Sequence, residues 1–185
     1  EYFEARGRTC LTTREPGGTS IGEALRETLL SPDNKEMTPV TEMLIYAAAR
    51  AQIVREVIRP AIERGDIVIC DRFLDSSLAY QAYGRELGDA VATVNSYATD
   101  GLAPDITFWL DVNPEIGRAR AARVGDLDRL EQEAMDFHFK VYEGYRTICE
   151  NNPDRVKRID ATGSIEEITQ DVIEHLTAFC SERNI

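Results

Sequence analysis

Positive charge is what this chain has least of: 21 Lys and Arg stand against 33 Asp and Glu, a formal charge of −12. That balance argues against general binding to nucleic acid or anionic membrane, since both require a basic surface. Cysteine is also sparse. Cys10, Cys70, Cys149 and Cys180 are far apart and lack metal-ligand spacing, which points to a reduced, cytoplasmic setting. Cys70 follows apolar residues and reads as a small core residue. The two histidines, His138 and His175, stand alone and read as packing or surface residues. No apolar run approaches the ~20 residues that span a membrane, and no signal peptide or internal repeat is evident. What remains is a chain of 185 residues, 43% apolar and 29% charged, enough for one domain with a substantial core.

Short apolar strands alternate with helical stretches. Strands are predicted at Thr9–Thr12, Ile67–Asp71, Ile106–Val112 and Val156–Ala161. Helices are predicted at Ser20–Ser31, from Thr38-Pro39 to about Arg59, and at Ser76–Tyr83, Asp89–Thr99, Pro114–Val124, Glu131–Asn151 and Ser164–Cys180. Ser20 with Glu23, and Ser164 with Glu167, read as capping boxes. Proline after Thr38 suits a first helical position. The alternation implies an α/β fold, three layers α/β/α, around a mostly parallel sheet.

The densest chemistry lies at Asp71-Arg72-Phe73-Leu74-Asp75-Ser76-Ser77-Leu78-Ala79-Tyr80-Gln81, directly after the strand Ile67–Cys70. A strand ending in Asp-Arg and opening into a Ser-rich helix start suits phosphate handling. The carboxylate can hold a magnesium-bound water, and the guanidinium can grip a phosphate bidentately. In α/β sheets the crevice at the carboxyl ends of the strands is where ligands bind. Tyr46 and Arg50, spaced i, i+4, share a helix face and can hold a pyrimidine by stacking and donation. No Gly-x-x-x-x-Gly-Lys-[Ser/Thr] phosphate loop occurs anywhere in the sequence.

Four segments in order and spacing, Thr13-Arg14-Glu15-Pro16-Gly17-Gly18-Thr19, Tyr46-Ala47-Ala48-Ala49-Arg50-Ala51-Gln52, Asp71–Gln81 and Asp128-Arg129-Leu130-Glu131-Gln132-Glu133, make the chain resemble the thymidylate kinases from Thr12 to about Leu176. These are P-loop kinases that use ATP and Mg²⁺ to convert dTMP to dTDP on the way to dTTP. The resemblance implies a five-stranded P-loop kinase fold, of which four strands are seen here. It also implies a single domain over residues 1–185, with a lid at about 118–130.

By the same resemblance, Glu15 and Pro16 lie against the bound dTMP, and Arg26 and Arg72 hold its phosphate. Tyr46, usually Phe in the family, stacks on thymine, and Arg50 donates to its O4. Ser77 and Gln81 hydrogen-bond the base. Tyr80 lies under the sugar, where its bulk disfavours a ribose 2′-OH. Asp71 and Glu131 are implied near Mg²⁺, through water. Among the lid arginines, Arg123 and Arg129 are the candidates to clamp ATP and stabilise the transferring phosphoryl group, while Arg118 reads as structural. Asp160 and Ala161 are implied to wall the adenine site, and Arg85 to order the central segment. A solvated helix residue is the plain alternative for Arg26, helix packing for Tyr46 and a charged surface for the lid arginines. Asp75 receives no role beyond a local turn. The implied partners are dTMP, ATP and a second copy of the chain through the Thr38–Arg59 helix, with neither nucleic acid nor membrane.

The chain begins Glu1-Tyr2-Phe3-Glu4-Ala5-Arg6-Gly7-Arg8, without Met, as though a helix tail ran into the first strand. A strand, a phosphate loop and part of a helix are therefore expected upstream, and the sheet is expected to show a strand position left open. The alternative reading is a non-catalytic nucleotide-binding protein that naturally lacks the loop.

Overall fold

The computed structural model describes residues 2–183. Four strands, β1 (Cys10–Arg14), β2 (Ile67–Asp71), β3 (Thr107–Asp111) and β4 (Val156–Asp160), alternate with helices. The helices are α1 (Ser20–Leu30), α2 (Pro39–Ile53), α3 (Arg59–Glu63), α4 (Leu74–Ser77), α5 (Ala90–Thr99), α6 (Pro114–Val124), α7 (Met135–Asn151) and α8 (Ile165–Arg183). All strand pairing is parallel, as the alternation predicts, but the strands form two pairs rather than one sheet. β1 pairs with β2 from Cys10 opposite Ile67 to Arg14 opposite Asp71. β3 pairs with β4 from Thr107 opposite Val156 to Asp111 opposite Asp160. Among the described residues β2 and β3 do not pair with each other, so the four strands stand as two separate pairs. Two apolar strand residues remain unburied, Ile69 of β2 at 47% exposure and Leu110 of β3 at 52%.

Several boundaries differ from the sequence expectation. β1 runs on to Arg14 because its ladder continues to Asp71. The Thr38–Arg59 helix continues further: α2 passes through a π-turn, Val54–Ile58, into α3. Pro60 lacks the N–H that an α-helix would use there, and the widened turn absorbs that loss. Likewise α4 widens into a second π-turn over Leu78–Gly84. The predicted Glu131–Asn151 helix begins only at Met135. Asp128 explains the delay: its Oδ1 accepts from the amides of Leu130 and Glu131 and holds this stretch as a turn. Thr19, not Ser20, caps α1 by accepting from Gly22. Glu23 therefore turns back to the amide of Gly18, at 2.8 Å. The Ser164/Glu167 capping box forms as expected, in both directions.

The main core gathers Ala79, Trp109, Leu130, Phe137, Val141, Ile148 and Val156. It seats α7 between the Leu78–Gly84 turn and the β3–β4 pair. Gly144 permits that seating, since a Cβ there would lie 2.9 Å from the Cβ of Tyr83. A smaller cluster, Ile53, Val54 and Ile58 with Val68 and Phe73, packs the α2–α3 rod on β2. Asp75 joins the two halves. It accepts two hydrogen bonds of 2.7 Å from Arg155, just before β4, and one from Thr107 of β3. Asp75 is thus a buried tie rather than a local turn acceptor. No helix among the described residues is long and apolar enough to cross a membrane.

Candidate active site

The crevice lies where β1 and β2 end. β1 delivers Glu15 and Pro16, both buried, and the Glu15 amide donates to the carbonyl of Asp71 at 2.9 Å. Gly17 and Gly18 follow with φ of +133° and +76°, a tight reversal into α1. A Cβ at Gly18 would lie 2.4 Å from Ile53 Cδ1, so only glycine lets the loop close against α2. Arg26 reaches back from α1 to donate to the Pro16 carbonyl at 2.9 Å. It has no carboxylate partner among the described residues.

On the facing helix, Glu42, Tyr46 and Arg50 follow one another at i, i+4, i+8. Arg50 is 1% exposed and occupies the centre of the site. Its Nε donates to Glu15 Oε2 at 2.7 Å, and its Nη1 donates to Ser77 Oγ at 2.8 Å and Asn95 Oδ1 at 2.6 Å. Nη2 lies 2.7 Å from the same Glu15 oxygen. Three separately predicted segments, those of Glu15, Arg50 and Ser77, thereby converge on one guanidinium. Burial raises the pKa of Glu15, and the charge of Arg50 opposes that shift. The second oxygen of Glu15, Oε1, is buried without a hydrogen-bond partner. Tyr46 is half-buried, and loss of solvent raises the pKa of its phenol.

Arg72 follows β2 at φ +64°, a left-handed conformation uncommon outside glycine. The turn throws its guanidinium over the ring of Tyr80, 5.2 Å from the centroid. Neither Arg72 nor Asp71 has an ion-pair partner among the described residues, and both are exposed. Ser76 shares a 2.7 Å hydrogen bond with Tyr145, whose phenol pKa burial pushes up to about 12. Gln81 is buried and donates to Glu42 at 2.9 Å. Glu42 also accepts from Arg85 at 3.2 and 2.9 Å and from Arg129 at 2.8 Å.

The lid candidates separate sharply. Arg123 is exposed near the end of α6, with no ion pair among the described residues. Arg129 is 7% exposed and donates to Glu42 and to the Leu29 carbonyl at 2.8 Å each. Its Nε and Nη2 are engaged in these bonds, and burial beside an ionised carboxylate makes this placement that of an anchor rather than of the free arginine expected to close over ATP. Glu131 is half-buried, and its Oε2 accepts from the Asp128 amide at 2.9 Å. Among the described residues no three His, Cys, Asp or Glu side chains gather as a metal site. Asp160 is exposed and caps the turn after β4 by accepting from the Thr162 amide at 2.9 Å, which lowers its pKa. Ala161 is buried, and its carbonyl accepts from Arg120 at 2.7 Å.

Two site residues, Glu42 and Asn95, and the Asp75 partner Arg155 escaped the sequence reading. Asn95 left a trace, a polar side chain directly after the largely apolar stretch Ala90-Val91-Ala92-Thr93-Val94. Glu42 left a fainter one, one turn before Tyr46 on the same face. Arg155 gave no local signal, because its partners are distant in sequence.

Comparison with known proteins agrees with this geometry. A family model described as thymidylate kinase matches residues 1–172. A thymidylate kinase of Exiguobacterium is 51% identical over 176 residues, covering 95% of this chain and 83% of the relative. One from Lactobacillus delbrueckii subsp. bulgaricus is 52% identical over 164 residues, covering 87% and 77%. One from a Synechococcus strain is 51% identical over 169 residues, covering 91% and 80%. With the family matched over nearly the whole chain and the crevice assembled from its motif segments, the chain belongs to the thymidylate kinase family.

Proposed function

We propose that this protein transfers the γ-phosphoryl group of ATP to dTMP, giving ADP and dTDP for dTTP synthesis. The observation that carries the reading is the buried Arg50, which gathers the Glu15, Ser77 and Asn95 side chains into one polar pocket. Phosphoryl transfer asks little covalent chemistry of a protein; positioning and charge neutralisation supply most of the rate. Arg26 and Arg72, free of carboxylates in an acidic chain, are suited to the acceptor phosphate. Tyr46 offers a ring for stacking, and Arg50, Ser77 and Gln81 offer polar edges to the base. Tyr80, pinned beneath Arg72, blocks a ribose 2′-OH. Arg123 is the arginine free to clamp the donor, and Asp160 and Ala161 with Arg120 shape the turn assigned to adenine.

Asp71 fits Mg²⁺, because a lone unpaired carboxylate suits an ion that keeps several waters and takes its other ligands from phosphates. Bound with ATP, Mg²⁺ would neutralise charge on the β- and γ-phosphates. Glu131 would act through its turn rather than as a ligand. A homodimer through α2 and its neighbours is supported by exposed Val40 and Leu44 on α2, at 50% and 51%, and Ile21 on α1, at 55%. The four free cysteines suit a reducing cytoplasm. The single kinase domain has its lid at about 118–130, with buried Arg129 anchoring the end of that segment.

A panel of nucleoside monophosphates with ATP and Mg²⁺, read by ADP release from the full-length enzyme, tests the proposal. dTMP is expected to lead, with dUMP weaker and dCMP poorest. Equal turnover of all acceptors, or none with dTMP, would overturn it. In the second case nucleotide binding without transfer would favour the non-catalytic reading.

A further inference from the structure

The base reading assigns Gln81 a contact with the thymine edge but leaves open which end of its amide is presented. The structure resolves this through Glu42. The Gln81 Nε2 donates to Glu42 Oε1 at 2.9 Å, while the Gln81 Oε1 takes no hydrogen bond among the described residues. Glu42 is 0% exposed and Gln81 1%, so water cannot substitute for either partner. Flipping the amide would set two acceptor oxygens against each other in a buried site.

Glu42 is also fixed as an acceptor. Arg85 grips both its oxygens, at 3.2 and 2.9 Å, and Arg129 donates to Oε2 at 2.8 Å. Burial alone would raise its pKa; the hydrogen bonds from Arg85, Gln81 and Arg129 outweigh that and lower it. An ionised carboxylate has no proton to offer Gln81. The two helices therefore form a ladder with Arg50 on Ser77 as one rung and Glu42 on Gln81 as the other.

We infer that Glu42 is a specificity-determining positioning residue: it locks the Gln81 amide so that an acceptor oxygen, not a donor NH₂, meets the base. This rests on the proposed base site. Thymine offers an N3–H donor beside the O4 acceptor. Cytosine offers an N3 acceptor beside an N4 amine. An acceptor at Gln81 with a donor at Arg50 matches the first pattern and opposes the second at both positions. Specificity against cytosine then lies partly in a residue that touches no substrate.

The test is the ratio of kcat/KM for dTMP over 5-methyl-dCMP, which share the methyl group and differ only in this edge. In Glu42→Gln, the new amide would keep its oxygen on Arg85 and Arg129 and turn its NH₂ toward Gln81, which favours the flipped state. The ratio is expected to fall by roughly tenfold or more, the size of one hydrogen bond to a charged group. Gln81→Leu should lower the same ratio, and Glu42→Gln added to Gln81→Leu should lower it no further. If Gln81→Leu leaves the ratio unchanged, the base reading of Gln81 falls, and this inference with it. If Gln81→Leu lowers the ratio but Glu42→Gln does not, the base reading stands and the role of Glu42 is refuted. Should Glu42→Gln fail to fold, Glu42→Asp keeps the charge for both arginines but withdraws the carboxylate from Gln81. An undiminished ratio in Glu42→Asp refutes the role equally.

Discussion

At the scale of single residues, the arginines decide the chemistry, and burial sorts them. Arg50, the proposed donor to the base, is also a structural keystone, because the carboxylate of Glu15 depends on it; both side chains are 2% exposed. Arg50→Ala should raise the KM for dTMP about ten- to hundredfold, the loss of one charged donor to a buried carbonyl. It should also cost stability, about 3–5 kcal/mol, since Glu15 would be left buried and uncompensated. Steady-state kinetics with chemical denaturation checks both parts. A raised KM at unchanged stability would show that Glu15 finds another partner. Arg72 behaves differently because no carboxylate claims it. Arg72→Ala should weaken dTMP binding and slow turnover together, whereas Arg123→Ala should lower kcat and leave dTMP affinity nearly unchanged. Calorimetric titration of dTMP into both variants separates them; equal affinities would show that Arg72 does not touch the acceptor.

At the scale of elements, periodicity and caps made most of the fold readable, and contacts across the fold made the rest unreadable. The β2 apolar run, the Thr38-Pro39 helix start and the Ser164/Glu167 box are local signals, and each element formed where it was expected. The π-turn at Val54–Ile58 was illegible, because its cause lies in how Pro60 is accommodated inside a packed rod. The site divides in the same way. Glu15, Arg50 and Ser77 stand in motifs, so they could be named; their convergence depends on α2 crossing behind the Gly17-Gly18 reversal. Arg129 shows the limit most clearly. In sequence it is one more arginine of the basic run, but the turn nucleated by Asp128 directs it inward onto Glu42 and the end of α1. Consequently Arg129→Ala should destabilise the fold by about 1–3 kcal/mol, while Arg123→Ala should stay within about 0.5 kcal/mol, as exposed substitutions do. Urea unfolding of the two variants distinguishes anchor from clamp. Equal stability would return Arg129 to the clamp role proposed for Arg123.

For the molecule as a whole, two buried carboxylates act as ties between parts that the strands do not join. Asp75 fastens the α4 segment to Thr107 and Arg155 beside the β3–β4 pair. Glu42 gathers α2, the Leu78–Gly84 turn through Gln81, Arg85 just beyond it, and the turn at Asp128 through Arg129. The second tie makes a pH prediction with a definite sign. The pKa of Glu42 is lowered from the ordinary 4.5, so the folded state holds that proton less tightly than the unfolded state. Its contribution is therefore complete above 4.5 and is lost as the pH falls through the lower folded value. Total stability cannot display this cleanly. The chain carries a charge of −12 at neutral pH, and acidification also relieves self-repulsion, which pushes the opposite way. The difference in Tm between the unsubstituted protein and Glu42→Gln cancels most of that background, since both share every other carboxylate. That difference should be largest near neutral pH and shrink once the pH drops below about 4.5, where the unfolded parent chain takes up a proton that folded Glu42 still refuses, and it is gone once the folded carboxylate is protonated too. Thermal unfolding of both proteins from about pH 7 to about pH 3.5 measures it. A difference that stays constant or widens on acidification would mean that Arg85 and Arg129 do not depend on an ionised Glu42, and that the acceptor rung beneath Gln81 is held by something else.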